Sequence, residues 1–478
     1  MLFNSFIFIF FLAVSIPVYY SLASKRGRNL WLVFCSYFFY GYWDWRFCSL
    51  LAISTIVDYF IGILISKENR KPTRKLLLII SLSANLGILG FFKYFNFFVD
   101  SFSSLVEGYG YNLDYLHINI ILPVGISFYT FQTLSYTIDV YKKQLTATNN
   151  FIDFALYVSF FPQLVAGPIE RATNLIPQVS RVNGATKNQI YDGVVLIVYG
   201  LFKKVLIGDA SGRYVDHIFS HMDRYSSWEL LSATLLFSIQ IYADFSGYSN
   251  IARGTAKLFG FELMKNFNQP YLSKNITEFW RRWHISLSGW LRDYLYIPLG
   301  GNRRGRYRTY INLMLTMLLG GLWHGASWNF VIWGGMHGFY LAVHKIIVSF
   351  YKTPFINVQK SKFINGINGF VSIIATYFLV NLTWFFFRVN NISSVSEYYK
   401  ILSNWNWGNY PHRFLTIVLG FVGITFLFDL LEYKSRSHVF LGQLPNKYIS
   451  YGVMFVMFML VSFYMINSQP LPFIYFQF

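Results

Sequence analysis

From Met1 to Ser24 the chain carries no charge, and Lys25, Arg26 and Arg28 follow at once. A bilayer core near 30 Å takes roughly 20 apolar helical residues at 1.5 Å each. Because the basic cluster follows the apolar run, this segment lacks the layout of a cleavable signal peptide and reads as a first anchor. Runs of like character recur at Leu30–Trp43, Ser49–Ile65, Leu76–Val99, Ile118–Ile138, Val194–Ile207, Leu230–Ala243, Thr309–Val343 (a broken pair), Ile364–Phe387, Phe414–Phe428 and Tyr448–Ile466. The pattern predicts an all-α, polytopic membrane protein of about a dozen crossings. No linker divides the chain and no repeat period is visible, so residues 1–478 read as a single transmembrane domain.

The polar positions between the runs set orientation. Lys25–Arg28, Lys67–Lys75, Lys142 with Lys143, Arg253–Arg308, Lys352–Lys362 and Lys434–Lys447 hold most of the cations and are expected on the cytoplasmic side. Asp100–His117 holds Asp100, Glu107 and Asp114 with no Lys or Arg, and Asp209–Ser227 sets Asp209, Asp216 and Asp223 against Arg213 and Arg224; both are expected outside. These signs alternate consistently when both termini lie outside and Phe154–Ile169, broken by Pro162, Gly167 and Pro168, dips in and returns. Irregular backbone at membrane depth is tolerated only where protein or a water-filled cavity surrounds it, so a re-entrant element there implies an internal chamber.

Composition narrows the class. The chain is 54% hydrophobic, 21% aromatic and only 13% charged, and its 40 Lys and Arg against 21 Asp and Glu leave +19. A nucleic-acid-binding protein with such a surplus needs a polar surface to carry it, so no nucleic-acid partner is expected, and the cations are assigned to membrane lipids instead. Two cysteines in apolar stretches, Cys35 and Cys48, exclude a disulfide scaffold.

Two histidines are candidates for chemistry. Asn275–Gly301 reads NITEFWRRWHISLSGWLRDYLYIPLGG, with Phe279, Trp283, Leu287, Trp290 or Leu291, and Tyr294 at helical spacing. Asn275 with Glu278 is capping-box-like, which predicts an amphipathic helix carrying His284 among Glu278, Arg281, Arg282, Arg292 and Asp293. That helix serves either as an interfacial anchor whose arginines reach lipid phosphates or as the lining of a polar funnel. His324 lies in LLGGLWHGASWNF, where Gly320, Gly321 and Gly325 permit close backbone approach, and between Thr309 and Val343 only it and His337 titrate near neutral pH. Desolvation favours the neutral imidazole, the form that accepts a proton from a hydroxyl. The alternative is a buried histidine that bridges helices by hydrogen bonds.

Other constellations carry less. His217 and His221 sit four apart beside Asp216 and Asp223 without an HExxH pattern, and a solvated helix accounts for them better than a metal. DFSGYSNIARGT, from Asp244 to Thr255, ends in Thr where a calcium loop needs a bidentate Glu. No GxSxG, P-loop or CxxC motif is present, so a serine hydrolase, a nucleotide-driven pump and a thiol redox enzyme lose local support. Neither a metal nor a bound cofactor is expected. Asp58, Asp139, Asp244, Lys203 and Lys204 lie within or at the ends of apolar stretches, where buried ion pairs are the default.

Five stretches, ILPVGISFYTFQTLSYTIDVY from Ile121, FFPQLVAGPIER from Phe160, QIYADFSGYSNIARG from Gln240, FWRRWHISLSGWLRDYLYIPLGG from Phe279 and GGLWHGASWNFVIWGGMHG from Gly320, together resemble the membrane-bound O-acyltransferases. They occur in order within a motif-bearing core of about 121–338. The resemblance implies a ring of transmembrane helices around a tunnel, with re-entrant or tilted helices on the cytoplasmic side. It further implies a catalytic role for His324 in the WHG motif and a second functional role for His284 near the donor entrance. One departure is Asn250, where family members often carry Asp.

Joined to the residue reading, this points to acyl transfer across a bacterial inner membrane. An acyl group, expected to be acetyl, enters from a cytoplasmic thioester, acetyl-CoA or an acyl carrier, beside His284 and the cations Arg281, Arg282, Arg303 and Arg304, which suit a phosphate-bearing donor. His324 acts as general base, Trp323, Trp328 and Asn329 shape the substrate site, and Asn329 is a candidate oxyanion donor; an acyl-histidine relay is an open alternative. The acceptor is an extracytoplasmic polysaccharide such as alginate, or an SGNH-type acetyltransferase or esterase partner that passes acetyl onward. Two rivals remain: D-alanyl or other acyl transfer to teichoic acid or peptidoglycan, and a non-catalytic acyl or sugar transporter, which predicts duplicated broken helices.

Overall fold

In lipid the backbone of an apolar run must satisfy its own hydrogen bonds, which leaves helix as the local solution. A computed structural model of the chain describes residues 1–109, 116–165, 167–181, 184–351, 362–389, 392–408 and 411–476. Every regular element among them is helical. Lys352, Lys360 and Asp114, which entered the orientation argument, lie outside the described residues.

Among the described residues, seven helical runs have the length and hydropathy to cross a membrane: Lys25–Lys67, Lys71–Glu107, Ser227–Leu258, Trp328–Phe350, Ile367–Arg388, Phe414–Ser435 and Lys447–Asn467. The chain is a multi-pass membrane protein. The first two runs, of 43 and 37 residues, are each about twice one crossing, and both are interrupted. Lys25–Asp44 meets Cys48–Lys67 at the turn Trp45–Phe47, and Lys71–Leu89 meets Phe95–Glu107 at a π-helical turn, Gly90–Tyr94. The expected span Ile118–Ile138 is different: its helix is Ile126–Tyr141, entered from Gly125 at φ 78°, and residues 117–123 are not helical. A Cβ on Gly125 would meet the Leu164 carbonyl, which explains the glycine.

Chain contacts divide the protein into two units, Met1–Ile197 with Ile251–Met264, and Val198–Asn250 with Lys265–Phe478. In the first, Ser54, Asp58, Ser81, Asn85, Thr133 and Thr137 form a buried polar seam. The ion pair expected for Asp58 is not what holds it: Ser81 Oγ and Asn85 Nδ2 donate to its two oxygens at 2.5 and 2.9 Å. Neutral donors suffice because each satisfies a carboxylate lone pair directly. Asp153 does pair with a cation, Lys25, at 2.8 Å. The described residues from Asp153 to Glu170 are all buried, their helix turning at Phe160.

In the second unit, Gly305–His324 and Trp328–Tyr351 form the broken pair anticipated from the sequence. Glycines bring their backbones together: a methyl on Gly321 would collide with the Phe330 carbonyl, and one on Gly334 with that of Met317. The C-terminal segment after Lys447–Asn467 returns to the same unit. There Lys204 Nζ pairs with Asp209 and Asp244 at 2.5 and 2.8 Å and reaches the Leu471 carbonyl, while the Ile474 N–H donates to Asp244 at 2.8 Å. Lys203 pairs with Glu432 at 2.9 Å. Both lysines therefore form the buried pairs expected of them. Lys204→Met leaves two carboxylates facing each other without their cation, and is expected to destabilise the protein by about 3–5 kcal/mol and to expose residues 468–476 to limited proteolysis. An unchanged melting temperature in detergent with an intact tail contradicts that pin.

Candidate functional site

The single helix expected to carry His284 is instead two. Asn275 Oδ1 caps the first by accepting from the Glu278 N–H at 2.9 Å, as its sequence suggests. That helix, Ile276–Arg282, ends after two turns, and the next begins at Ile285. Between them Trp283 is extended and His284 is left-handed at φ 41°, ψ 56°. The neighbouring segment compels the break: the Asn268 N–H donates to the Arg282 carbonyl at 3.0 Å, the Ile285 N–H donates to the Asn266 carbonyl at 2.8 Å, and Ser286 Oγ donates to Asn266 Oδ1 at 2.6 Å. A side chain bearing Cβ is strained in this conformation, and here the surrounding hydrogen bonds hold it.

The apolar face survives the break and lies against protein. Phe279, Trp283, Leu287, Trp290 and Leu291 are buried, and His284 is fully so. An interfacial anchor would leave that face to lipid, so the anchor reading fails. Burial pushes the His284 imidazolium down to about 3, and the ring is neutral at pH 7.

His324 closes the helix Gly305–His324 and is 3% exposed. Its ring centroid lies 6.2 Å from that of His284. At that separation the ring nitrogens are beyond hydrogen-bond reach of each other, and the two imidazoles lie as near neighbours in the buried interior. Aromatic rings surround the pair. Trp323 packs against both histidines at 5.8 and 5.1 Å, Trp333 and Phe387 meet His324 edge-on at 5.0 and 5.4 Å, and Phe245 meets His284 at 4.7 Å. Tyr475 stands 5.4 Å from His324 and 6.4 Å from His284. Two imidazoles and a phenol thus converge inside an aromatic box, where low dielectric strengthens every polar interaction.

Bridging of helices through a histidine is seen at His337. Trp280 Nε1 donates to its Nδ1 at 3.3 Å and Thr383 Oγ1 lies 2.9 Å from its Nε2, which fastens three helices. Of the other expected site residues, only Trp323 joins the box. Asn329 is buried and donates its amide to the Val389 carbonyl at 2.8 Å, a fastening between helices. Trp328 is half exposed. Arg281 is exposed, and Arg282 binds Glu278 at 2.7 Å and stacks on Tyr433. Arg303 and Arg304 are exposed.

Arg282 does line a cavity of about 480 Å³, with Lys265, Asn268, Gln269, Glu432, Tyr433, Lys434 and Arg436. Four cations against one carboxylate give it a positive interior. Among the described residues no group of three or more His, Cys, Asp or Glu side chains could hold a metal.

Comparison with known proteins decides what this site belongs to. The sequence model of the membrane-bound O-acyltransferase family matches residues 142–387. The chain is 42% identical over 404 residues to the "Probable alginate O-acetylase AlgI" of Pseudomonas aeruginosa, covering 84% of this chain and 75% of that one. The chain belongs to the membrane-bound O-acyltransferase family. Its similarity to the like-named protein of Azotobacter vinelandii is 46% over 349 residues, 73% of this chain and 69% of that one. A "Peptidoglycan O-acetyltransferase" of Helicobacter pylori is 34% identical and spans 98% of this chain and 90% of its own length. The protein is an acyltransferase, and both histidines lie inside the family match.

Tyr475, Phe245, Trp333 and Phe387 were not foreseen from the sequence. A signal for Tyr475 existed: Pro470 and Pro472 end the last helix, and an aromatic run, FIYF, follows where a solvated tail would be polar.

Proposed function

We propose that this chain moves an acetyl group from a cytoplasmic thioester, acetyl-CoA or an acyl carrier, through a bacterial inner membrane for O-acetylation of an extracytoplasmic polysaccharide such as alginate. The observation that carries the reading is the pair of buried imidazoles whose ring centroids lie 6.2 Å apart among packed aromatic rings. In this reading about a dozen crossings surround a tunnel, with tilted helices on its cytoplasmic side and Phe154–Ile169 re-entrant. The near-complete burial of Asp153–Glu170 supports the last point.

His324 takes the proton of the acceptor hydroxyl as it attacks the thioester carbonyl, and the thiol leaves on the cytoplasmic side. His284, neutral and beside His324, hydrogen-bonds the reacting carbonyl and stabilises the oxyanion that develops on it. Arg282 and the cations sharing its cavity receive the donor's phosphates, with Arg281 at the exposed rim. Trp323 shapes the acyl site, and Trp328 and Asn329 hold the surrounding helices. The immediate acceptor is an SGNH-type partner outside the membrane or the polymer itself.

A second acceptor, peptidoglycan, is favoured by one observation: the Helicobacter relative matches almost the whole chain, whereas the alginate relatives leave about a sixth or more of it unmatched. Purified protein in nanodiscs, given acetyl-labelled thioester and either polymannuronate or peptidoglycan strands, is expected to release thiol and label one polymer, with partner protein added where neither is labelled directly. Failure to cleave any thioester in the presence of both acceptors and partner returns the protein to the transporter class.

A further inference from the structure

The segment Asn404–Gly408 reads NWNWG, alternating amide and indole. Trp405 and Trp407 are 45% and 57% exposed. Their rings stand nearly perpendicular at 5.2 Å, and Trp407 packs on Trp228 at 5.4 Å. Indoles left in a free loop collapse onto each other or onto the nearest apolar surface, because exposing each one costs hydrophobic free energy. Here the two indoles meet edge to face, and backbone hydrogen bonds fix that pair at the surface. The Trp228 N–H donates to the Asn406 carbonyl at 3.2 Å, the Asn406 N–H to Ser227 Oγ at 3.0 Å, and Ser227 Oγ to the Ile401 carbonyl at 2.8 Å. Gly408 turns the chain at φ 74°, its N–H donating to Asn406 Oδ1 at 2.9 Å. Beneath the loop, Tyr398 stacks on Phe385 at 4.0 Å within a core of Ile218, Met222, Leu230, Ala233 and Val389.

We infer that Trp405 and Trp407, with Asn404 beside them, form a glycan-docking platform for the acceptor polysaccharide. An indole face packs on the C–H face of a pyranose ring by dispersion and weak C–H···π contacts, and exposed amides beside it bond the sugar hydroxyls. Two perpendicular faces fix a chain's direction as well as its contact. Asn404 and Asn406 are both exposed, a composition that a lipid-facing aromatic belt does not need. The loop follows the helix Ile392–Ser403 and leads towards Phe414–Ser435 at the end away from Lys434 and Arg436, the cations of the expected cytoplasmic side. The inference rests on the acceptor being an outside polysaccharide.

The test is a Trp405→Ala/Trp407→Ala double variant in nanodiscs, with Trp405→Phe/Trp407→Phe as the fold-preserving companion. Binding of polymannuronate and of peptidoglycan oligosaccharides is measured alongside thioester cleavage by the same samples. The expected result is a loss of about tenfold or more in affinity for one of the two glycans in the Ala variant, with partial retention in the Phe variant and unchanged thioester cleavage. Unchanged glycan affinity in both variants overturns the platform while leaving the acetyltransfer reading intact, and absent thioester cleavage in the parent protein counts against that reading alone. Loss of membrane insertion in the Ala variant, with normal glycan affinity in whatever protein inserts, assigns the indoles to the bilayer interface and overturns the platform.

Discussion

Replacing His324 with Ala is expected to lower polymer acetylation by about 100- to 10,000-fold, the range general acid–base groups supply, in protein that inserts and melts like the parent. The argument is positional. His324 ends one helix of a glycine-packed pair, so its ring is delivered by two rigid elements whose backbones touch. Trp333, Phe387, Trp323 and Tyr475 enclose it, and the His284 ring lies 6.2 Å away. Enclosure also means that truncation to Ala opens a void, so His324→Gln, nearer in volume, is the companion variant. A general base predicts that both lose turnover alike while thioester binding persists. Acetylation above half the parent rate in well-inserted His324→Gln refutes the assignment.

The legible part of the site was the part encoded in local pattern. His324 stood out because an ionisable residue inside an apolar run is costly, and the glycines around it announced close backbone packing. His284 stood out through its polar segment, but its conformation was hidden. Helical spacing of Phe279, Trp283 and Leu287 is kept across the break, since all three stay buried on either side of it. Only the hydrogen bonds from 266–268 reveal the left-handed residue, and those depend on contacts some twenty positions away. Tyr475 lay further still, brought to the site by Asp244 and Lys204 through a tail that hydropathy treats as the end of the last span. The partner of Asn329 was hidden for the same reason: its amide donates to a carbonyl, Val389, on a segment with no local signature. Periodicity reports which face is buried, and is silent about which buried residues meet.

His284 allows chemistry and backbone geometry to be separated. Its φ of 41° is free to Gly and easier for Asn than for most residues, whereas an L side chain there pays roughly 1–2 kcal/mol relative to Gly, which the parent His already bears. If His284 serves only to make the turn, His284→Gly and His284→Asn should acetylate polymer at near the parent rate. If its imidazole contacts the reacting acyl group, both are expected to lose about 100-fold or more in turnover, the loss typical when one oxyanion donor is removed. Acidity supplies an independent readout. Burial pushes the folded-state value down to about 3, below the roughly 6.5 of an unfolded chain. Between those values the unfolded state binds a proton that the native state refuses, so the parent loses stability as pH falls through that window and keeps it in full above. His284→Asn removes that group, and its stability is expected to fall less steeply from pH 6.5 towards 3, measured by thermal melts in detergent. His284→Asn as active as the parent would reduce His284 to a turn residue, and a variant as acid-labile as the parent would show that this imidazole does not set the acid limit.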